Sequence, residues 1–248
     1  EKKRLDRYVL SRLQKIIREA TEGLEEFQTR KAGLNAFFEF NSLVNQYRNR
    51  TEELNTEVVN ELVETQIKLM SPFTPHICEE LWNEIGHEGF ASQGEWPEAD
   101  EELIDEEVEA SEELIQKTMS DIREVEEIVG DYEEIKIIVA SEEKEELFRS
   151  LKEVVSERPE FGEAMQKLLD ETDANPETIE GYLKDYLNSP GDLPDTIFSS
   201  QEELRILQEN EKFLEKEFDA WTTIQSEKES NEKKASRAEP GKPAIILE

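Results

Sequence analysis

The sequence is poor in the residues that build disulfides and metal centres, with one cysteine, Cys78, and two histidines, His76 and His87, among 248 residues. A lone cysteine excludes an intrachain disulfide and fits a reducing compartment such as the cytoplasm. A closed zinc site takes about four Cys or His ligands, so three such side chains argue against a metal site. No apolar run approaches the ~20 residues of a membrane span, and no signal segment is recognisable, so we expect no membrane contact.

Basic residues are scarce, with 29 Lys and Arg against 62 Asp and Glu, for a net charge of −33. Phosphate contacts need cations, so this balance argues against nucleic-acid binding over most of the chain. Residues 1–50 are the exception, because they hold 11 basic and only 7 acidic residues. The acidity elsewhere overlies periodic apolar patterns, which indicates a folded protein with a carboxylate-coated surface. Such surfaces suit cytosols rich in salt, where charges are screened over about 3 Å at 1 M.

Apolar residues recur at three- and four-residue steps through the first third of the chain, which predicts four helices. The helices cover residues 2–27, 29–50, about 53–70, and 75 to Gly86, where the last one ends. The predicted apolar set of the second helix is Leu34, Phe37, Phe38, Leu43, Val44 and Tyr47, and that of the fourth is Ile77, Cys78, Leu81, Trp82 and Ile85. Pro72 ends the third helix, and Thr74 with Pro75 begins the fourth as N-cap and first turn. An antiparallel bundle is the simplest packing of these elements.

A change of period after residue 130 predicts a second, smaller domain of α/β type. We expect a fifth helix over 103–129, closed by Gly130. Beyond it we expect strands at 135–139, 221–224 and 243–248, and helices at 147–155, 161–171, 176–187 and 200–219. Residues 226–239 are polar and weakly patterned, which predicts a mobile segment. The predicted fold class is therefore mainly α, an antiparallel helical bundle (1–130) followed by a small α/β domain (131–248).

No signature of catalysis is found in the sequence. GxSxG, P-loop, HExxH and CxxC motifs are missing, as are HIGH and KMSKS. We therefore expect no catalytic residue, no metal and no cofactor site in this chain. The sequence begins at Glu1 with a helical pattern already under way, so we expect a piece of a longer chain, either a truncation or a natural split subunit.

Four parts of the chain resemble class Ia aminoacyl-tRNA synthetases of the archaeal leucyl type: LDRYVLSRLQKIIREATEGLEEFQTRKAG (5–33), SPFTPHICEELW (71–82), GFASQGEWPEAD (89–100), and the pair KFLEKEF (212–218) and PGKPAIILE (240–248). The first three are similar to the anticodon-binding helical domain shared by the leucyl, valyl and isoleucyl enzymes. The last pair favours the leucyl type. Together they span most of the chain, and residues 140–200 match only in layout.

The resemblance implies a bundle that packs against the inner side of an L-shaped tRNA and a C-terminal domain that reaches its elbow and long variable arm. It also implies a cytoplasmic, monomeric leucine–tRNA ligase of archaeal type, and the carboxylate-coated surface adds the expectation of a halophilic source. The catalytic domain of that enzyme would precede this chain and bind ATP and Mg²⁺ to form leucyl-adenylate. The partners implied are tRNA-Leu and that catalytic domain.

The basic surplus of the opening helices nominates six side chains for phosphate contacts: Lys15, Arg18, Arg30, Lys31, Arg48 and Arg50. The resemblance adds the C-terminal residues Ile246, Leu247 and Glu248 as contacts to the variable arm, although Ile246 and Leu247 would also suit a buried strand. Phe37, Phe73 and Trp82 fall on apolar faces, so we expect them in the core and not as base-stacking platforms. Cys78 is expected to be a small buried apolar residue.

Three other interpretations stay open at this point. An acidic helical scaffold that docks to a protein partner would never bind RNA. The equivalent part of a valyl or isoleucyl enzyme would favour tRNAs with short variable arms. A free-standing enzyme would show activity by itself.

Overall fold

The structure, a computed structural model, describes residues 2–51 and 53–248, and its described residues are mainly helical. The helices are α1 (Arg4–Glu25), α2 (Thr29–Gly33), α3 (Phe40–Arg50), α4 (Thr56–Met70), α5 (Pro75–Glu84), α6 (Glu106–Val129), α7 (Glu142–Ser156), α8 (Phe161–Glu171), α9 (Pro176–Asn188), α10 (Ser200–Glu209) and α11 (Glu211–Phe218). A π-helical segment, Leu34–Glu39, joins α2 to α3, so the helix predicted over 29–50 is continuous. The strands are β1 (Glu134–Val139), β2 (Trp221–Ser226) and β3 (Ala244–Leu247). The predicted fold class is confirmed.

The chain forms two compact units that divide between Glu109 and Ala110, inside α6. The sequence places its domain boundary at residue 130 because Gly130, with φ +82°, ends that helix. Because α6 continues through the division, the apolar periodicity of its sequence is unbroken there and gives no sign of a domain boundary. The assignment of 1–130 and 131–248 as domains stays a prediction.

The core of the first unit forms around α1, whose apolar face is closed to solvent. Val9 and Leu13 are fully buried there, and they pack with Phe40 and Tyr47 of α3 and with Leu62 of α4. The loop that resembles the family pattern is tied to the same helix. Trp96 donates its indole N–H to Thr21 at 2.8 Å, and Asp100 donates its backbone N–H to Gln14 at 2.9 Å.

The buried stripe of the 29–50 helix differs from the expected one. Small residues, Ala32 and Ala36, lead into Phe40 and Tyr47 on the buried side, whereas Phe37 and Phe38 are 46% and 63% exposed. The prediction that Leu34, Phe37 and Phe38 belong to the core is therefore wrong, and so is the placing of Phe37 on a buried face. The physical reason is the crossing with α1, where a Cβ at Gly23 would lie 2.8 Å from the Ala32 backbone nitrogen. Helices this close admit only small side chains between them.

The α4–α5 corner follows the proline signals of the sequence. Asn55 caps α4 by accepting the Glu57 backbone N–H at 3.0 Å, so the helix begins three residues later than predicted. Thr74 occupies the N-cap position of α5 but makes no side-chain cap bond. Of the apolar face predicted for α5, Cys78 and Trp82 are buried, which confirms Cys78 as a core residue. The remaining members of that predicted face, Ile77, Leu81 and Ile85, are exposed.

The second unit is organised by a three-stranded sheet with the order β2-β1-β3. β1 pairs parallel with β2, Ile137 opposite Ile224, and antiparallel with β3, Ile137 opposite Ile245. The parallel pair needs a long crossover, which α7 to α11 provide. The helix predicted over 200–219 is two helices, α10 and α11, because the chain breaks at Asn210. Helices α7 to α9 enclose a separate cluster around Phe148 and Leu151.

Residues 226–239, expected to be mobile, are anchored instead. Ala235 and Ala238 are buried and pack with Ile138 of β1 and Ile246 of β3, covering one face of the sheet. The prediction is wrong because two alanines among charged residues make too weak a pattern to show a buried face in the sequence.

A carboxyl group, Glu203 of α10, is buried in the second unit with 1% of its surface exposed. Its Oε2 accepts the Gly241 backbone N–H at 2.9 Å, and its Oε1 has no hydrogen-bond partner among the described residues. Burial raises the pKa of Glu203 to about 7, against the opposing effect of the Gly241 bond. The folded protein therefore holds this proton more tightly than the unfolded chain does.

The contribution of Glu203 to stability is therefore expected to fall as pH rises from about 4.5 to about 7, by up to ~3 kcal/mol. Glu203→Gln keeps an acceptor for Gly241 and carries no charge. The free energy of unfolding of this variant, measured by denaturant titration, should rise relative to the wild type between pH 5 and pH 8. Glu163→Gln, at an exposed position on α8, is the control and should show a flat difference. A flat difference for Glu203→Gln as well would contradict the assignment.

Candidate nucleic-acid interface

Three cations of α1 face carboxylates of their own unit. Arg7 donates to Asp105, the Lys15 ammonium lies 2.5 Å from Glu109, and the Arg18 guanidinium lies 3.3 Å from Glu101. Ser11 adds a second hydrogen bond to Glu109 at 2.5 Å. These pairs tie α1 to the segment that leads into α6.

The pairing changes what these cations can offer to a ligand. The Lys15 side chain is only 23% exposed, and a phosphate would have to displace Glu109 from it. Burial raises the pKa of Asp105, but hydrogen bonds from the Val108 backbone N–H and from Arg7 outweigh this and hold it below its ordinary value. The Asp105 carboxyl group, the partner of Arg7, is therefore charged at neutral pH. Of the nominated residues, Lys15 and Arg18 have internal partners on this side of the unit.

The 29–50 helix presents a different surface, which we name the arginine face. Its members recur at three- and four-residue steps along the helix: Arg30, Leu34, Phe37, Phe38, Asn41, Asn45 and Arg48. None of them is acidic, although a quarter of the chain is Asp or Glu. The Arg30 and Arg48 side chains are exposed, and we find no ion pair for either among the described residues. The face combines unpaired guanidinium groups with exposed aromatic rings.

The two remaining cations of this helix lie beside the arginine face. Lys31 pairs loosely with Glu22 of α1 at 3.4 Å, and both side chains are largely exposed. Arg50 is half-buried at the end of α3. Arg48 and Arg50 both lie in the last turn, where the helix macrodipole favours positive charge.

A buried polar network fixes the helix that carries the arginine face. Tyr47 of α3 donates its hydroxyl proton to Asp6 of α1, which is 4% exposed. The Asn55 backbone N–H donates to the Tyr47 oxygen at 3.0 Å, and the Asn55 amide reaches Asp6 at 3.3 Å. Burial and the bond to Asp6 raise the pKa of Tyr47 to about 12, so it remains a donor throughout the physiological range. The network orients α3 against α1 and the start of α4.

The three C-terminal candidates fall into two groups. Ile246 and Leu247 are 7% and 8% exposed in β3, so their side chains are core residues and offer no surface to a ligand. Glu248 is half exposed, and its carboxylate lies 2.8 Å from the Lys136 ammonium. Its backbone continues the pairing with Glu133 and Glu134. The structure thus brings Glu248 to the surface and removes the two apolar neighbours from it.

Within residues 2–51 and 53–248 there is no group of three His, Cys, Asp or Glu side chains that could hold a metal ion. No described helix is both long enough and apolar enough to cross a membrane.

The architecture is that of a helical binding module, an antiparallel bundle with an exposed cationic face followed by a small α/β unit. Residues 6–149 match the family described as the anticodon-binding domain of tRNA ligase. The leucine–tRNA ligase of Pyrococcus abyssi is 36% identical over 257 residues, covering 100% of this chain and 26% of that protein. Those of Archaeoglobus fulgidus and Methanocaldococcus jannaschii are each 34% identical over 98% of this chain and 25% of their own length. The chain belongs to the anticodon-binding domain family of tRNA ligases, and it spans about a quarter of the length of these curated relatives.

Sequence reasoning missed the aromatic part of the arginine face. Phe37 and Phe38 meet edge to face, with ring centroids 5.1 Å apart, on the exposed side of the helix. One signal could have indicated this, namely the parallel stripe of Ala32, Ala36 and Phe40, which has the same period. Hydrophobicity alone predicts burial of the stripe that contains Phe37 and Phe38, since it ranks phenylalanine above alanine.

If the two rings lie outside the core, Phe37→Ala and Phe38→Ala should each cost less than about 1 kcal/mol of the free energy of unfolding. The matched variant Phe40→Ala removes a fully buried ring of the same helix and should cost about 3–5 kcal/mol. Denaturant unfolding followed by far-UV circular dichroism measures all three. A loss at Phe37 as large as that at Phe40 would place Phe37 in the core after all.

Proposed function

We propose that this chain is the tRNA-binding portion of a leucine–tRNA ligase, an enzyme that charges tRNA-Leu at the expense of ATP. The observation that carries the proposal is the extent of the alignment. The anticodon-binding family match ends at residue 149, but leucine–tRNA ligases align with 98–100% of the chain. Residues 150–248 therefore share the organisation of those enzymes too.

The arginine face is the proposed contact with the tRNA backbone. Arg30 and Arg48 lie about five helical turns apart along one helix, which suits two separate phosphates on one strand of RNA. Lys31 and Arg50 lie beside them. Lys15, Arg18 and Lys31 would each first have to exchange an internal carboxylate for phosphate. Guanidinium groups match phosphate through paired N–H donors, which explains the use of arginine at both positions.

The remaining roles follow from the same proposal. The second unit would meet the tRNA elbow and long variable arm, with Glu248 as the exposed member of the C-terminal set. Ile246 and Leu247 would support that end of β3 from within. ATP and Mg²⁺ would be bound by a catalytic domain of the same protein outside these 248 residues. The whole protein would act as a monomer in the cytoplasm, without membrane contact.

We further propose that the protein works in a salt-rich archaeal cytosol. Only three of its described carboxylates are buried, Asp6, Glu112 and Glu203, so nearly all of the acidic charge lies at the surface. At a net charge of −33 these groups repel one another strongly at low ionic strength. High salt shortens that repulsion from about 10 Å at 0.1 M to about 3 Å at 1 M.

The tRNA contact is tested by the double variant Arg30→Ala, Arg48→Ala. Each lost phosphate contact should flatten the slope of log affinity against log salt by about one unit, so the pair should flatten it by about two. Fluorescence anisotropy with a labelled tRNA-Leu transcript measures the slope, with far-UV circular dichroism at each salt concentration to verify folding.

The control is Arg149→Ala with Lys184→Ala, which removes the same charge from two cations that are ion-paired on other helices. The control should keep the wild-type slope. An equal slope for both double variants would reject the arginine face. Absence of tRNA binding by the wild type would favour a protein-interaction scaffold, and preference for a tRNA with a short variable arm would favour a valyl or isoleucyl relative.

Adaptation to salt is tested separately by thermal unfolding. The midpoint of the wild type should rise steeply between 0.1 M and 1 M KCl, because screening relieves surface repulsion over that range. Sucrose added at 0.1 M KCl is the control, since it favours the folded state by exclusion without screening charge. A midpoint that is independent of KCl would contradict the proposed adaptation.

A further inference from the structure

A second cationic surface lies in the second unit, on the segment that the sequence suggested was mobile. Residues 233–237, which we name the cationic turn, read Lys-Lys-Ala-Ser-Arg and contain no acid. The second unit otherwise has a large excess of carboxylates. The side chains of Lys233, Lys234 and Arg237 are exposed, and we find no ion pair for them within the described parts of the chain.

Three of the four acids nearest in sequence to the cationic turn have partners elsewhere. Glu227 lies 2.9 Å from the Lys144 ammonium, and Glu232 lies 3.0 Å from that of Lys136. Glu239 accepts the Tyr186 hydroxyl proton at 2.9 Å. Each of these three carboxylates is engaged with a β1, α7 or α9 residue and not with the turn. The fourth, Glu229, is exposed, and we find no ion pair between it and the turn in the described parts of the chain.

Hydrogen bonds and apolar packing anchor the turn. Lys144 of α7 donates to the backbone carbonyls of Ser236 at 2.7 Å and Ala238 at 2.8 Å. Ala235 and Ala238 insert between these contacts into the sheet face formed by β1 and β3. With two alanines pointing inward, the intervening Ser236 and Arg237 and the preceding Lys234 point outward. Such an arrangement fixes charged groups at low entropic cost, which favours binding over a flexible tail.

The cationic turn packs on a sheet face that β3 helps to form, and β3 is the strand whose end is nominated for RNA contact. Lys136 joins Glu232, one residue before the turn, to the Glu248 carboxylate at the end of β3. Ile246 of the same strand is buried against Ala235 and Ala238. The turn therefore adds exposed positive charge to the sheet face on which Ala235 and Ala238 pack.

We propose that the cationic turn is a second RNA-binding element, in which Lys233, Lys234 and Arg237 contact the phosphodiester backbone. This rests on the proposed function, because it assumes that the second unit meets tRNA. Under this proposal the three exposed cations contact the RNA directly, and the buried Ile246 and Leu247 do not. Ile246 instead stabilises the turn from below.

The test uses the 248-residue chain with Lys233, Lys234 and Arg237 all changed to Gln. The matched control changes Arg149, Lys167 and Lys184 to Gln, three ion-paired cations of the same unit, for the same change in net charge. Anisotropy with a tRNA-Leu transcript over a range of KCl concentrations gives affinity and salt slope. The turn variant should bind roughly tenfold more weakly or worse at low salt, with a slope flatter by two to three units. The control should match the wild type.

A photocrosslinking measurement locates the contact directly. Ser236→Cys carries a thiol-attached photoprobe on the turn, and Gln166→Cys carries it on the exposed side of α8; the native Cys78 is buried and 2% exposed. The turn probe should crosslink to the transcript and the α8 probe should not.

Equal behaviour of the two triple variants, in a wild type that binds tRNA, would overturn the cationic turn and leave the proposed function standing. Failure of the wild type to bind tRNA at any salt concentration would overturn both. A weakened turn variant whose Ser236 probe gives no crosslink would also overturn the assignment, because the effect would then be remote.

Discussion

The buried hydrogen bond between Tyr47 and Asp6 is the constraint on which the rest of the first unit depends. It links α3 to α1, and Asn55 extends it to the start of α4. Asp6 is almost fully buried, so loss of the Tyr47 hydroxyl would remove the hydrogen bond to its Oδ1 inside the core, which costs more than the loss of a surface contact. The helix that displays Arg30 and Arg48 therefore has one orientation. A cationic face is useful to a ligand only if its spacing is fixed in this way.

The cations of this acidic molecule include two contrasting groups: those paired with carboxylates of their own unit, and exposed ones for which we find no such pair among the described residues. Arg7, Lys15 and Arg18 are engaged by carboxylates of the first unit, and Lys136 and Lys144 by those of the second. These ion pairs join segments of the folded chain that are distant in sequence. The arginine face and the cationic turn differ from them, because we find no ion pair for Arg30, Arg48, Lys233, Lys234 or Arg237 among the described residues. In a strongly acidic protein, a local lack of acid is as informative as a local excess of base.

Much of the fold could be predicted from the sequence, because helix periodicity, Pro72, Thr74-Pro75, Gly86 and Gly130 act locally. The candidate site could be predicted only in part. Periodicity identified the helix of Arg30 and Arg48 but favoured its aromatic stripe as the core, since it could not show that α1 crosses at Gly23 too closely for large side chains. The charge surplus of residues 1–50 could not separate Lys15, which has an internal partner, from Arg48, for which we find none among the described residues.

The sequence by itself determined the helical architecture, most of its breaks, the exclusion of an intrachain disulfide and the family resemblance, because these depend on composition and on neighbours along the chain. Tertiary structure decided which cations are available. Glu109, 94 positions from Lys15, neutralises it through space, and Lys144 reaches the turn 92 positions away to hold Ser236. Electrostatic and packing contacts of this kind act over a few ångströms regardless of separation in sequence, so only the folded chain reveals which charges remain for a ligand.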